Sequence, residues 1–215
     1  MRCEIAVIGG GVNGFAIARE LVARYGADVT LFEDPRRRPA TLAAAGMLGA
    51  QIEGARRWDG GRGAFFDALR KGQLLHEMLD LHLQDSVGLG TGLRACGALH
   101  VTRDERELEG LEARYAWQRE HDAEVVAVTP DEARRLEPAL GPHVAGGVYL
   151  PDEKTLDPTA LLGALEASCR ALGVPVVGGR VRRVVCAGGQ VSGLETEVGP
   201  VGADLVVVAA GAWGP

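Results

Sequence analysis

Gly9, Gly11 and Gly14 stand in a G-x-G-x-x-G spacing, the pattern by which a backbone grips a pyrophosphate. The first glycine permits a tight turn. The second removes a side chain that would keep phosphates from a helix amino terminus, and the third lets helix and strand pack closely. Glu33 lies 19 residues after Gly14, where a carboxylate accepts hydrogen bonds from the ribose hydroxyls of an adenosine. The set points to a bound dinucleotide without separating flavin from nicotinamide. Arg36, Arg37 and Arg38 would suit the extra 2′-phosphate of NADP, but a carboxylate at the ribose repels that phosphate, and a solvated basic loop accords better with Glu33.

Two other segments have the composition of a ligand wall. In Ala43–Ala50 (AAAGMLGA) a run of small residues allows the backbone to lie against a flat or phosphorylated ligand, with Met47 as a soft side chain beside a ring system. The same run reads equally well as a small-residue helix in the core. Near the carboxyl end, a buried strand over Leu205–Ala209 leads to Gly211, Ala212 and Trp213, returning the chain to the topological switch point, where Gly211 allows the backbone to approach a cofactor. A plain core strand with a loop is the alternative there. The five histidines have no ligand spacing: His76 and His82 are six apart, and His100, His121 and His143 are scattered, as surface or strand-end residues are. Glu132 and Glu137 have no partner carboxylate for acid–base work. No metal site and no catalytic residue is assigned.

The elements that must hold these residues are legible nearby. Glu4 to Ile8 is a short apolar run closed by glycines, as expected of a strand buried on both faces. From Val12 to Tyr25, Phe15, Ala18, Leu21, Val22 and Tyr25 recur at intervals of three and four, and Gly26 supplies a stop. Val29 to Phe32 is a second strand, which completes a right-handed βαβ unit. Asp104 is expected to cap a helix bearing Leu108, Leu111 and Tyr115, with Glu107 as capping-box partner. Thr129, Pro130 and Glu132 form a second such signal, with Pro138 as the stop. Asp157 and Pro158 open a third helix, with Leu161, Leu165, Cys169 and Leu172 on one face up to Gly173. Strands are expected at Ala98–Thr102, Val125–Val128, Gly147–Leu150, Val174–Val177, Val181–Val185, Gln190–Glu195 and Leu205–Ala209, and Gly54–Gly63 reads as a flexible loop.

Composition bounds the rest. Glycine supplies 31 of 215 residues, so the chain needs many tight turns, while 47% hydrophobic and 24% charged residues exclude disorder and collagen. A formal charge of −6 leaves no electrostatic footprint for nucleic acid. No apolar stretch approaches the roughly 20 residues of a bilayer span, and the amino terminus lacks a signal-peptide pattern. Cys3, Cys96, Cys169 and Cys186 form no C-x-x-C pair and read as free thiols of a reducing compartment. A cytoplasmic protein is expected.

Taken in order, Ile8–Gly14 (IGGGVNG), Leu31–Glu33, Ala43–Ala50, Ala64–Asp67 (AFFD) and Val206–Trp213 (VVVAAGAW) resemble the D-amino-acid-oxidase-like flavoproteins over the whole chain. The AAAGMLGA string favours the glycine oxidase branch, associated with thiamine biosynthesis, over sarcosine oxidases and related dehydrogenases. The resemblance implies FAD. It implies an α/β fold in which a Rossmann-type FAD-binding domain, residues 1–51 plus 156–215, is interrupted by the beginning of an α+β substrate domain, residues 52–155, with the carboxy-terminal half missing. Pairing of Val206–Ala209 in one sheet with Ile5–Ile8 is the requirement that this split imposes.

By the same resemblance Val12 and Asn13 meet the FAD pyrophosphate, and Glu33 with Asp34 the adenosine ribose. Ala40, Thr41, Ala45, Gly46 and Met47 line the flavin side, and Val181 or Arg182 meets the adenine through main-chain atoms. Leu42 stands where the family commonly carries a serine, and the loop over Ala55–Gly63 is a few residues longer. The implied activity is oxidative deamination of glycine and small amines, with oxygen as acceptor and hydrogen peroxide as product. A sarcosine or D-amino-acid oxidase or dehydrogenase, and a non-catalytic FAD-binding remnant, stay open beside it. Partners are a small amine or amino acid and oxygen, with no nucleic acid and no membrane; homo-oligomerisation is left open. The arginine that binds the substrate carboxylate in the family has no counterpart here, so weak or absent FAD retention, poor stability and no turnover are expected of these 215 residues alone.

Overall fold

The computed structural model describes residues 1–56 and 63–214. In chain order the elements are β1 (Arg2–Ile8), α1 (Val12–Tyr25), β2 (Val29–Glu33), β3 (Met47–Leu48), α2 (Ala50–Arg56), α3 (Ala64–Val87), β4 (Arg94–Ala95), β5 (Ala98–Thr102), α4 (Glu105–Ala116), β6 (Val126–Val128), α5 (Pro130–Leu136), β7 (Gly146–Leu150), β8 (Lys154–Thr155), α6 (Pro158–Ala171), β9 (Val176–Gly178), β10 (Val181–Ala187), β11 (Gln190–Thr196) and β12 (Gly199–Val208). Single 3₁₀ turns occur at Ala40–Ala43, Trp117–His121 and Gly211–Trp213. The chain divides into two compact units, Met1–Ala45 with Asp80–Thr91 and Asp157–Pro215, and Gly46–Leu79 with Gly92–Leu156.

The first unit is built on a six-stranded sheet in the order β10-β11-β12-β1-β2-β9. β12, β1, β2 and β9 are parallel, and β10 and β11 extend the sheet as antiparallel strands. Val206, Val207 and Val208 pair with Ala6, Val7 and Ile8, so the last strand lies beside the first. α1 packs over β1 and β2 and against α6. Its Phe15 and Ala18 are buried with Leu161, Leu165 and Cys169 of α6, each large side chain contributing about 1.5–3 kcal/mol. A second cluster gathers Ala6, Phe32, Leu194, Val201 and Ala203. α1 stops at Gly26, whose φ of 61° is left-handed and whose N–H bonds back to Val22 O.

The second unit holds two three-stranded sheets, β3-β8-β4 and β5-β7-β6, both antiparallel. Its core joins Leu111 and Tyr115 of α4 to Val148 and Leu150 of β7, with Ala55 and Val125. Thr129 and Glu132 close a complete capping box at α5, and Asp157, at the start of the first unit's last segment, caps α6 through the N–H groups of Thr159 and Ala160.

Several expectations are corrected. Glu107 does not close a box with Asp104; its carboxylate accepts the Thr102 hydroxyl at 2.6 Å, and Asp104 alone caps α4. Leu172 is 39% exposed, because the helix has already ended and Val174 N–H turns back to Cys169 O, which also delays β9 to Val176. Gly54 belongs to α2 rather than to a flexible loop: a β-carbon there would come within 2.6 Å of the Phe66 ring, so the glycine serves close packing. Ala55 and Arg56 are also helical, Gly63 precedes α3 with a φ of +110°, and residues 57–62 of that expected loop lie outside the described residues. Ala43–Ala50 is not a core helix, since Ala43, Ala44 and Ala45 are exposed and Met47–Leu48 is a strand. The terminal strand is longer than expected and not wholly buried, with Leu205 and Val208 exposed. His100 sits mid-strand in β5 and bonds through Nδ1 to the Tyr115 hydroxyl at 2.8 Å.

Candidate dinucleotide-binding site

At the carboxyl ends of β1 and β2 the chain turns through Gly9–Gly14 into α1. Gly9 has a φ of +126°, and a β-carbon on it would lie 2.3 Å from Ala209 O, just past β12. One on Gly14 would lie 1.8 Å from Gly9 O. Both glycines are demanded by the fold itself. Gly11 is different. Its φ of −94° suits any residue, and a β-carbon would meet only Pro39 Cβ and Thr41 Oγ1, each at 3.6 Å. Packing does not require glycine here, and the space beside the helix amino terminus is left open.

That terminus carries no side-chain cap from its own Ncap residue, Gly11. The Val12 N–H donates to Thr41 Oγ1 at 3.1 Å, Asn13 is exposed, and Ala40 and Thr41 lie on the 3₁₀ turn. The first-turn amides and the positive end of the helix dipole at such a terminus favour an anion. The residues present therefore fit the pyrophosphate of a dinucleotide.

Gly10, to which the sequence assigned no role, is explained by Glu33. A β-carbon on Gly10 would stand 2.1 Å from Glu33 Oε2, so the acid at the end of β2 lies directly over the glycine turn. Three consecutive glycines were the available signal. Burial pushes the Glu33 carboxyl above its ordinary range, Glu166 adds to the effect and Arg170 opposes it. Asp34 differs, because Arg36 bonds to it at 2.7 Å and holds its carboxyl below the usual range.

Arg36 also reaches Glu197 at 2.8 Å, and Arg182 approaches the same carboxylate at 3.9 Å. Arg37 lies over the Trp213 ring, 4.6 Å from its centre, and Trp213 Nε1 donates to Arg38 O at 3.1 Å. A shallow cleft of about 330 Å³ is lined by Asp34, Arg36, Arg37 and Arg180. The basic loop is thus engaged with the protein's own acids and an aromatic ring. Val181 packs half-buried against the second core cluster, Arg182 is exposed, and Gly211, φ +54°, opens the last 3₁₀ turn. Gly46, φ +75°, and Met47, 70% exposed, belong to the second unit.

The four cysteines are free. Among the described residues no helix is long and apolar enough to cross a membrane, and no three histidine, cysteine or acidic side chains gather as metal ligands.

A parallel sheet with a glycine-rich turn into α1, and an acid closing the second strand, defines a dinucleotide-binding fold, and comparison with known proteins narrows it. Residues 4–215 match the family described as FAD dependent oxidoreductase, and the chain belongs to that family, whose cofactor is FAD. The bifunctional protein ThiO/ThiG of Nostoc sp. is 33% identical over 99% of this chain, which covers 31% of that protein. The crystal structure of glycine oxidase from Geobacillus kaustophilus superposes with a TM-score of 0.86 at 30% identity, over 99% of this chain and 56% of that one. Iminodiacetate oxidase from Chelativorans sp. gives 0.83 at 26%, over 98% and 56%. The chain therefore spans about a third to just over half the length of these relatives.

Proposed function

We propose that these residues form the FAD-binding part, and the beginning of the substrate domain, of a cytoplasmic amine oxidase that deaminates glycine and small amines, with hydrogen peroxide as product and a role in thiamine biosynthesis. Residues 1–51 and 156–215 are the FAD-binding domain in this reading, and 52–155 belong to the substrate domain. The observation that carries it is the opening at Gly11, a cradle at the α1 terminus that packing leaves free.

When bound, FAD supplies the acceptor for hydride from the substrate α-carbon and passes the electrons to oxygen. The chain's own residues bind and orient. The amides of Val12 and Asn13 hold the pyrophosphate, with the Thr41 hydroxyl yielding the Val12 N–H it now accepts. Gly9, Gly11 and Gly14 shape the cradle, Glu33 and Asp34 take the ribose, and Val181 or Arg182 meets the adenine by main-chain atoms. Ala40, Thr41, Ala45, Gly46 and Met47 line the flavin side, and Gly211 lets the last turn approach it. No side chain in these 215 residues is assigned to the substrate. The relatives named glycine oxidase and ThiO/ThiG support glycine as the substrate.

Peroxide release by the full-length protein with glycine, compared with sarcosine and D-proline, tests this. Preference for glycine is expected; a higher kcat/KM for sarcosine or D-proline would transfer the assignment to those oxidases.

A further inference from the structure

Glu153 lies between β7 and β8 and is only 2% exposed, yet it is a carboxylate. The groups bonded to it are donors. Oε1 accepts the N–H of Gln51 at 2.6 Å and of Ile52 at 3.0 Å, and Oε2 accepts Gln73 Nε2 at 3.3 Å. Gln73 Nε2 also donates to Leu48 O. The residues that follow Glu153 grip the same stretch: Lys154 and Thr155 pair with Leu48 and Met47, and Leu156 N–H donates to Gly46 O at 2.9 Å. Every backbone position from Gly46 to Leu48, and the amides that open α2, is thereby tied to residues 153–156 or to Gln73.

Stability alone does not call for a charge here. Burial pushes the Glu153 carboxyl up, against the pull of the Ile52, Gln51 and Ala50 amides, and replacing a buried ionic group by a well-packed neutral one is often neutral or stabilising. What the carboxylate gives is geometric: one acceptor atom fixes two successive amides, while its second oxygen anchors the amide side chain that holds Leu48. The segment so fixed contains Met47, which is 70% exposed and held by its backbone rather than by packing of its side chain.

We propose that Glu153 is a positioning residue, a buried acceptor that sets the backbone of Gly46–Ile52 and through it presents Met47 to the flavin. The proposal rests on the reading that Gly46 and Met47 line the flavin side.

The test uses hydrogen exchange of the purified chain, with and without FAD, together with the visible spectrum and FAD affinity. In Glu153→Ala the Gln51 and Ile52 amides should exchange about tenfold faster, the factor for losing one hydrogen bond to a charged acceptor. In Glu153→Gln, where an NH2 group faces Gln73 Nε2, the acceleration should be smaller but confined to the same residues, so this variant decides the matter if the alanine variant does not fold. Both should shift the bound-flavin spectrum and weaken FAD binding. Thr129→Ala, which loosens α5 instead, should leave these amides and the spectrum unchanged. Unchanged exchange at residues 46–52 would overturn the proposal. So would faster exchange with an unaltered flavin spectrum, or equal effects from Thr129→Ala. If wild type bound no FAD, the site reading would fall separately, and the exchange result would still decide whether Glu153 sets the segment.

Discussion

Four glycines crowd the first turn, for three different physical reasons. Gly9 and Gly14 answer to backbone oxygens at 2.3 and 1.8 Å, Gly10 to the Glu33 carboxylate, and Gly11 to nothing closer than 3.6 Å. Substitution should separate them. Gly14→Ala should lower stability by about 1–3 kcal/mol or more, as overpacking against backbone does. Gly11→Ala should leave the denaturation midpoint nearly unchanged while weakening FAD binding, as paired denaturation and FAD titration would establish. Equal loss of stability in both would remove the distinction. Glu33 carries a pH signature. Its carboxyl is raised by burial in the folded chain, so folding favours the protonated form, and the associated stability is present in acid and lost as pH rises through the folded value. Glu33→Gln abolishes that dependence. The stability advantage of wild type over the variant should therefore shrink between mildly acidic and neutral pH; an advantage that grew would contradict the assignment.

Among the elements, α5 is the clearest case of a helix start written locally. Thr129 accepts the Glu132 N–H, and Glu132 accepts the Thr129 N–H at 2.8 Å. Thr129→Ala should cost about 1 kcal/mol, measurable as a shift in denaturant midpoint with unchanged slope. Signals of this kind made α1, α5 and α6 legible, because Gly26, Pro130 and Asp157 act on their nearest neighbours. α3 was not legible although it is the longest helix described. Its Leu74, Leu75, Met78 and Leu81 are exposed, so apolar residues lie on more than one face and no single stripe emerges. β3, β4 and β8 have two residues each, too few for alternation to register. Glu107 shows the opposite failure: the local pattern was correct, and a hydroxyl three residues before the helix, Thr102, won the carboxylate instead. Glu153 left no local signal at all, because its partners lie 80 to 102 positions away.

For the whole chain, the decisive register is that of β12 on β1, which brings Ala209 against Gly9 from 200 positions away. The glycines were readable from their spacing and the strand Leu205–Ala209 from its apolar run, and the sheet pairing expected of the two is present; the contact of the Ala209 carbonyl with Gly9 had no signature of its own. The same juxtaposition sets the Gly9 end of the turn against a residue just past β12. The central claim is that this cradle binds FAD, and titration of the purified chain with FAD, followed by the visible flavin spectrum, tests it most directly. The account predicts saturable, equimolar uptake that Gly11→Val abolishes. No saturable uptake, or uptake that survives Gly11→Val undiminished, would contradict it.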